Sequence, residues 1–316
     1  MNFLIRLDIS KKIGTGHFRR MLNLTNHMFM HNFVYLIITD NENNTLLKDL
    51  SICFTNKEQE LNEFKRIVIE EKIDAVILDM LHYSQDYIKD LKTNVKKTIV
   101  SFHEYNDISI DSDLAINYNF FDDFQTKSSE IFLAGPKYII FNNELTKVTK
   151  KYIKEDYIFV SFGGSDPSSL IQIFIQNIAS KMTHNNFYIH IGNFDTLDID
   201  NIKGTNNITF LNKPSNLFEY MASAKYAITA AGNIMYELIY LKVPSIVIAH
   251  NSHQDEFAKN AARLGCVNYM GLSNDLDFSL LRNEIESMSI KSYNCKQEID
   301  ALGIDRIKSV IEELVN

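Results

Sequence analysis

Short apolar runs of strand length recur along this chain, each followed by a longer amphipathic stretch, and that alternation restricts the fold more than any other feature. "FLIRLD" (3–8), "FVYLII" (33–38), "AVILD" (75–79), "KTIVSF" (97–102) and "LAIN" (114–117) have strand length and strand composition. Among them, "HFRRMLNLTNHMFMH" (17–31) and "EQELNEFKRIVIEEK" (58–72) place apolar residues at helical spacing. Strands that are apolar on both sides, alternating with helices, predict a parallel sheet covered on both faces.

The pattern then restarts. "YIFVSF" (157–162), "FYIHIG" (187–192), "ITFLN" (208–212), "YAITAA" (226–231) and "SIVIA" (245–249) are the next strands. "SLIQIFIQNIASKM" (169–182), "NIMYELIYLK" (233–242) and "QDEFAKNAARLG" (254–265) are helices, the last closing on Gly265 as a C-cap. Two α/β domains are therefore expected, residues 1–145 and 156–316, joined by a polar, lysine-spaced linker at about 146–155. A final helix, "DRIKSVIEELV" (305–315), has an apolar face that fits either domain.

A length of 316 residues accommodates two cores of ordinary size. A net charge of −8 argues against nucleic acid or an anionic membrane as the main partner. The apolar runs are too short to span a bilayer, and the N-terminus lacks the long apolar region of a leader peptide. Cys53, Cys266 and Cys295 are odd in number and widely spaced, so no disulfide is expected and the cytoplasm is the natural compartment.

Glycine is scarce, at 11 residues in 316, so its placement is informative. Gly14 and Gly16, Gly163 and Gly164, and Gly232 all sit where a strand gives way to a helix. In an open parallel sheet those junctions form the ligand-binding edge. Exposed amides at a helix N-terminus favour an anion such as a pyrophosphate there. Ser165 and Asp166 extend the second junction, and Asn233 the third, with Glu237 one turn on to accept from ribose hydroxyls.

"GTGHFR" is not a dinucleotide fingerprint and "FGGSDPSS" is not a Walker loop, so no cofactor is implied. His17, at a helix start beside Arg19 and Arg20, is expected to stay neutral near pH 7 and to serve as a base. The pairs His27/His31 and His250/His253, and the acids of "DSD" (111–113) and "DID" (198–200), lack the pattern of a metal site, and no metal is assigned.

"RLDISKKIGTGHFRR" (6–20) closely resembles the opening of the bacterial UDP-sugar hydrolases of pseudaminic acid biosynthesis, through Arg6, Asp8, Ser10, Ile13, Gly14, Gly16, His17 and Arg20. The resemblance continues through "AVILD", "LAINYN" (114–119), "AGPKY" (134–138), "SFGGSDP" (161–167) and "AAGNIMYELIYLKVPSIVIAHNSHQ" (230–254). The second half is also similar to the N-acetylglucosaminyltransferase of lipid II synthesis, at Glu237, Pro244, Gln254 and Asn260. The resemblance implies the glycosyltransferase-B fold, two Rossmann-like domains facing a cleft. It implies no metal, and a UDP-sugar as the small-molecule partner.

It further implies that His17 activates water at the anomeric carbon, with Asp8 and Arg20 shaping its pocket. Arg6, Gly14, Gly16, Tyr83, Asn142 and Asn143 would then meet the sugar, and Gly163, Gly164, Ser165, Asp166, Gly232, Asn233, Glu237 and Gln254 the UDP. His103 and Glu104 stand where family members often carry the acids of an "FDD" element. The activity implied is release of UDP and a free 2,4-diacetamido-2,4,6-trideoxyhexose. A transferase of the same fold and a non-catalytic nucleotide-sugar binder are the alternatives.

Overall fold

The computed structural model describes the chain except residues 10–15, 29, 40–51, 56–58, 81–83, 106, 109–110, 122–124, 127–129, 149–152, 165, 167, 193–205, 289–294, 298 and 316. Two compact units emerge, Met1–Asn142 with Ala301–Asn316, and Asn143–Asp300. The final helix thus belongs to the first unit. None of the helices is long and apolar enough to cross a membrane, among the described residues.

In the first unit, β1 (Asn2–Ile9) pairs in parallel with β2 (Asn32–Thr39) on one side and β4 (Ala75–Asp79) on the other. Adding β3 (Ile52–Thr55), β5 (Thr98–Phe102), β7 (Leu114–Asn117) and β9 (Ile131–Ala134) gives a seven-stranded sheet in the order β3-β2-β1-β4-β5-β7-β9. Two short strands, β6 (Asp107–Ile108) and β8 (Gln125–Thr126), pair separately.

Alternate residues of each strand feed two cores. Phe3, Ile5, Leu7 and Ile77 pack with Phe18, Met21 and Leu24 of α1 (Gly16–His27) and Ile304, Ile307 and Ile311 of α10 (Gly303–Val315). On the other face Leu4, Val76 and Leu78 pack with Phe64 and Ile67 of α2 (Glu60–Glu70) and Ile88 and Leu91 of α3 (Gln85–Val95). The helix expected over 17–31 stops at His27, where the Met28 and His31 amides turn back onto Leu24 and Met28 and lead the chain into β2.

The second unit contains α4 (Asn143–Lys147), β10 (Glu155–Ser161), α5 (Leu170–Phe174) continuing as a π-helical turn, β11 (Phe187–Ile191) and β12 (Ile208–Asn212). It continues with α6 (Leu217–Ser223), β13 (Ala224–Ala230), α7 (Asn233–Tyr240), β14 (Ser245–Ala249), α8 (Ser252–Arg263), β15 (Asn268–Leu272) and α9 (Phe278–Ser287). The sheet order is β12-β11-β10-β13-β14-β15, again parallel throughout. After α8, the Gly265 and Cys266 amides bond back to the Ala262 and Ala261 carbonyls, with Gly265 at φ 73°, so the helix closes as expected.

One expectation is overturned. Cys266 and Cys295 form a disulfide across a separation of 29 residues, their Cα atoms 4.0 Å apart. Their spacing matches no short motif because the return path runs through β15 and α9, and folding brings the two thiols together.

Candidate functional site

In both sheets the strand order reverses at one place, between β1 and β4 and between β10 and β13. Loops leaving the C-terminal ends of strands on either side of such a reversal diverge and open a crevice. The residues of interest gather at those two places.

In the first unit, Asp79 is the last residue of β4 and lies beside Leu7 of β1. Its side chain is fully buried and points to the α1 face. Helical spacing puts His17 and Arg20, three apart on α1, over it together. His17 Nδ1 lies 2.7 Å from Asp79 Oδ1, and Arg20 grips the same carboxylate with Nε at 2.9 Å from Oδ2 and Nη2 at 2.5 Å from Oδ1. The Tyr118 hydroxyl, just past β7, accepts from Arg20 Nη1, and the guanidinium lies 5.1 Å from that ring's centroid. Glu104, just past β5, completes the group: Oε1 is 3.3 Å from Arg20 Nη1 and 3.9 Å from His17 Nε2.

With Nδ1–H donated to Asp79, the His17 lone pair is carried by Nε2. Burial, the largest influence, works to lower the His17 pKa, but the Asp79 and Glu104 charges outweigh it and raise it. Arg20 pulls the other way, more weakly. The downward pull expected from its helix start and arginine neighbours is therefore corrected: the carboxylates outweigh it and the His17 pKa is raised above its ordinary value. Burial penalises the Asp79 charge, yet Arg20 and His17 hold its pKa below the usual carboxylate value.

Asp8 and Arg6 do not join this group. They share a face of β1 with Leu4, on the side of α2 and α3, whereas Asp79 faces α1. Arg6 is 1% exposed and donates to Glu60 (2.6 Å) and Asp8 (2.6 Å), while the Tyr87 hydroxyl donates to Glu60 (2.8 Å). That network ties α2 and α3 to the central strand. Gly16 opens α1. Gly14 and Tyr83 lie outside the described residues. Asn142 closes the first segment of the first unit, and Asn143 opens α4 in the second. Asp79 and Tyr118 were assigned no role from the sequence, and Glu104 was marked only as standing where family members often carry the acids of an "FDD" element; for Asp79 the available sign was the carboxylate ending the buried run "AVILD".

In the second unit, Gly163 and Gly164 follow β10, and Gly232 precedes α7 directly after β13. The two turns are neighbours, since Ser161 pairs with Thr229. A Cβ at Gly232 would meet nothing within 4 Å, so open space adjoins the start of α7; the Gly232 amide itself bonds to the Ala230 carbonyl (2.9 Å) and the Met235 amide to the Gly232 carbonyl (3.0 Å). Gly192, after β11, backs the first turn so closely that a Cβ there would lie 2.6 Å from the Gly163 and Gly164 carbonyl oxygens.

Asn233 is exposed and Glu237 half-buried one turn further along α7. Asp166 accepts from the Ile171 amide (2.7 Å) and so steadies the start of α5, and Ser165 lies outside the described residues. Gln254 accepts from the His250 amide (2.9 Å), and His250 Nε2 lies 3.1 Å from the Phe162 carbonyl oxygen. Those bonds join the turn after β14 to the turn after β10. Asp111 and Asp113 of "DSD" both pair with Lys92, and "DID" lies outside the described residues.

Comparison with known proteins identifies relatives of both the sequence and the fold. Residues 157–314 match the glycosyltransferase family 28 C-terminal domain. The uncharacterized protein MJ1062 of Methanocaldococcus jannaschii is 27% identical over 280 residues, 81% of this chain and 57% of that protein, so the chain spans little more than half of that relative's length. The spore coat polysaccharide biosynthesis protein SpsG of Bacillus subtilis is 24% identical over 95% of both chains. Among solved structures, MurG of Acinetobacter baumannii superposes with a TM-score of 0.70 at 11% identity, covering 99% of this chain and 100% of that one. The UDP-GlcNAc 2-epimerase of M. jannaschii gives 0.61 at 14%, with the same coverage. These likenesses establish the two-domain glycosyltransferase-B fold.

Proposed function

From a chain that belongs, through residues 157–314, to the glycosyltransferase family 28 C-terminal domain family, we propose a nucleotide-sugar hydrolase that releases UDP by attack of water at the anomeric carbon. The observation that carries this reading is the buried Asp79–His17 pair, with Arg20 fixing the carboxylate and Nε2 left as the basic nitrogen. In the proposed reaction His17 Nε2 takes a proton from water as its oxygen bonds to the anomeric carbon. The bond from that carbon to the β-phosphate oxygen breaks, and its electron pair leaves with UDP.

Asp79 holds the ring in the required tautomer and stabilises the imidazolium that forms. A nucleoside diphosphate is already a good leaving group, so one base suffices without the paired carboxylates of ordinary glycosidases. The turn at Gly163 and Gly164 and the first amides of α7, which follow Gly232, take the pyrophosphate, and Glu237 takes the ribose hydroxyls. The relation to a polysaccharide biosynthesis protein and the likeness to structures named for UDP-sugars support a nucleotide-sugar substrate. The sequence resemblance supports a 2,4-diacetamido-2,4,6-trideoxyhexose as the sugar, in a route to nonulosonic (pseudaminic) acid.

The test is incubation of the protein with UDP-2,4-diacetamido-2,4,6-trideoxy-β-L-altropyranose and related UDP-sugars without any acceptor. Free UDP and sugar are followed for the wild type and for His17→Ala. We expect release by the wild type alone, with UDP bound equally by both. Full turnover by His17→Ala would sink the mechanism. Release only on adding an alcohol acceptor would identify a transferase instead.

A further inference from the structure

We infer that Glu104 holds the attacking water jointly with His17, and that this two-point grip makes the site choose water over an alcohol as nucleophile. The inference rests on the hydrolase reading and deepens it. Glu104 Oε1 and His17 Nε2 are 3.9 Å apart, too far for a direct hydrogen bond. Two hydrogen bonds of about 2.8 Å meeting at one oxygen span about 4.6 Å at the tetrahedral angle, and closing that angle to about 88° brings the span to the observed 3.9 Å with each O–H still within about 10° of its acceptor. Both atoms are acceptors when the imidazole is neutral, so the group between them must supply two hydrogens.

Water has two; an alcohol has one. A water bound this way has both hydrogens committed and turns a lone pair outward, toward the carbon to be attacked. An alcohol donating its one hydrogen to His17 would turn an oxygen lone pair or its alkyl group toward the Glu104 carboxylate, on the side away from Arg20, and so replace an attraction by a repulsion. After transfer, the proton sits on Nε2 facing the Glu104 carboxylate, and the new C–O bond carries the water's remaining hydrogen as a hydroxyl.

The position of Glu104 is built into the fold. Asn119 Nδ2 donates to the Glu104 carbonyl oxygen at 2.9 Å, and Arg20 Nη1 approaches Oε1 at 3.3 Å. The side chain keeps 22% of its surface exposed, while the His17 side chain keeps 5% and that of Asp79 none. Glu104 is therefore the member of the carboxylate pair that solvent reaches. Among the described residues, the charged groups acting on His17 are Asp79 from β4, Glu104 from the turn after β5 and Arg20 from its own helix. Tyr118, after β7, reaches the group through Arg20.

Two measurements test this. The first needs no substrate: titration of the His17 imidazole by NMR in the wild type and in Glu104→Gln. Loss of the Glu104 charge is expected to lower the His17 pKa, and an unmoved titration would overturn the inference. The second runs the hydrolysis of the UDP-diacetamido sugar in aqueous methanol and compares free sugar with methyl glycoside. The wild type should give free sugar almost alone. Glu104→Ala should turn over roughly 10²-fold more slowly and shift the partition toward methyl glycoside by about tenfold, with KM little changed.

Glu104→Gln keeps a carbonyl acceptor and should keep the wild-type partition, while its rate limb moves to lower pH with the His17 titration. A residue that only braced Arg20 would change stability and leave the partition alone, and that result would overturn the inference while the hydrolase reading stood. A wild-type protein that releases UDP only when methanol is present would overturn both.

Discussion

His17 and Asp79 make stability and activity run in opposite directions with pH. The folded pKa of His17 lies above its ordinary value of 6.5, so its pairing stabilises fully below about 6.5 and is lost as pH rises through the raised value. The folded pKa of Asp79 lies below its ordinary 3.8, so its contribution is present above 3.8 and is lost as pH falls through the lowered value. The proposed base works only after His17 has lost its proton. UDP release is therefore expected to climb through the same interval, above pH 6.5, in which the melting temperature declines. A His17→Gln protein should lose both slopes, which thermal melts and rate measurements across pH will show. Asp79→Asn leaves Arg20 buried beside a neutral amide and frees the imidazole tautomer. It should cost about 3–5 kcal/mol of stability and about 10²- to 10⁴-fold in rate, read by denaturant unfolding and by single-turnover UDP release. His17 was legible in the sequence because a glycine-poor chain spends two glycines just before it. Its partner was not legible, because the contact between residues 17 and 79 exists only after β1 and β4 pair.

Strands covered on both faces hide their own polarity. β1 alternates Phe3, Ile5 and Leu7 toward α1 with Leu4, Arg6 and Asp8 toward α2 and α3. Because both faces are buried, the sequence pattern does not mark which of them holds the site, and Arg6 and Asp8, expected beside His17 from the resemblance, lie on the opposite face. α3 escaped notice for a related reason. Its apolar residues Ile88, Leu91 and Val95 keep helical spacing, but the rest of the segment is polar enough to pass for a loop. The two glycine junctions of the second unit were legible because each lies directly after a strong apolar run. Gly192, which supports one of them, was not, since its role is a backbone contact with Gly163 and Gly164. A methyl group there must displace main chain, so Gly192→Ala should cost about 1–3 kcal/mol. The same change should weaken UDP binding, measured by calorimetry. Unaltered UDP affinity would show that the turn after β10 does not hold the nucleotide.

α10 returns to the sheet that contains β1. Ile304, Ile307 and Ile311 of α10 are buried in the core built on β1 and α1, while His27, ending α1, and His31, just before β2, reach Asp305 (2.7 Å) and Glu312 (2.8 Å). The helix starts so close to the turn at 136–139 that a Cβ on Gly303 would lie 2.1 Å from the Ile139 carbonyl oxygen. The amphipathic face of α10 was plain in the sequence, but its spacing says nothing about which of two similar sheets it covers. Full burial of three isoleucines is worth roughly 5–9 kcal/mol at about 1.5–3 kcal/mol each, comparable with the whole stability of a typical domain, about 5–15 kcal/mol. The first unit therefore depends on sixteen residues separated from it by the entire second unit, Ala301–Asn316. A chain ending at Asp300 should lose hydrogen-exchange protection in β1, β2 and β4 while β10, β13 and β14 keep theirs. During synthesis the order follows: the second unit has all its residues first, and the unit holding His17 completes its core only when α10 emerges. Full protection of β1 in the shortened chain would show that α10 covers a sheet already stable without it.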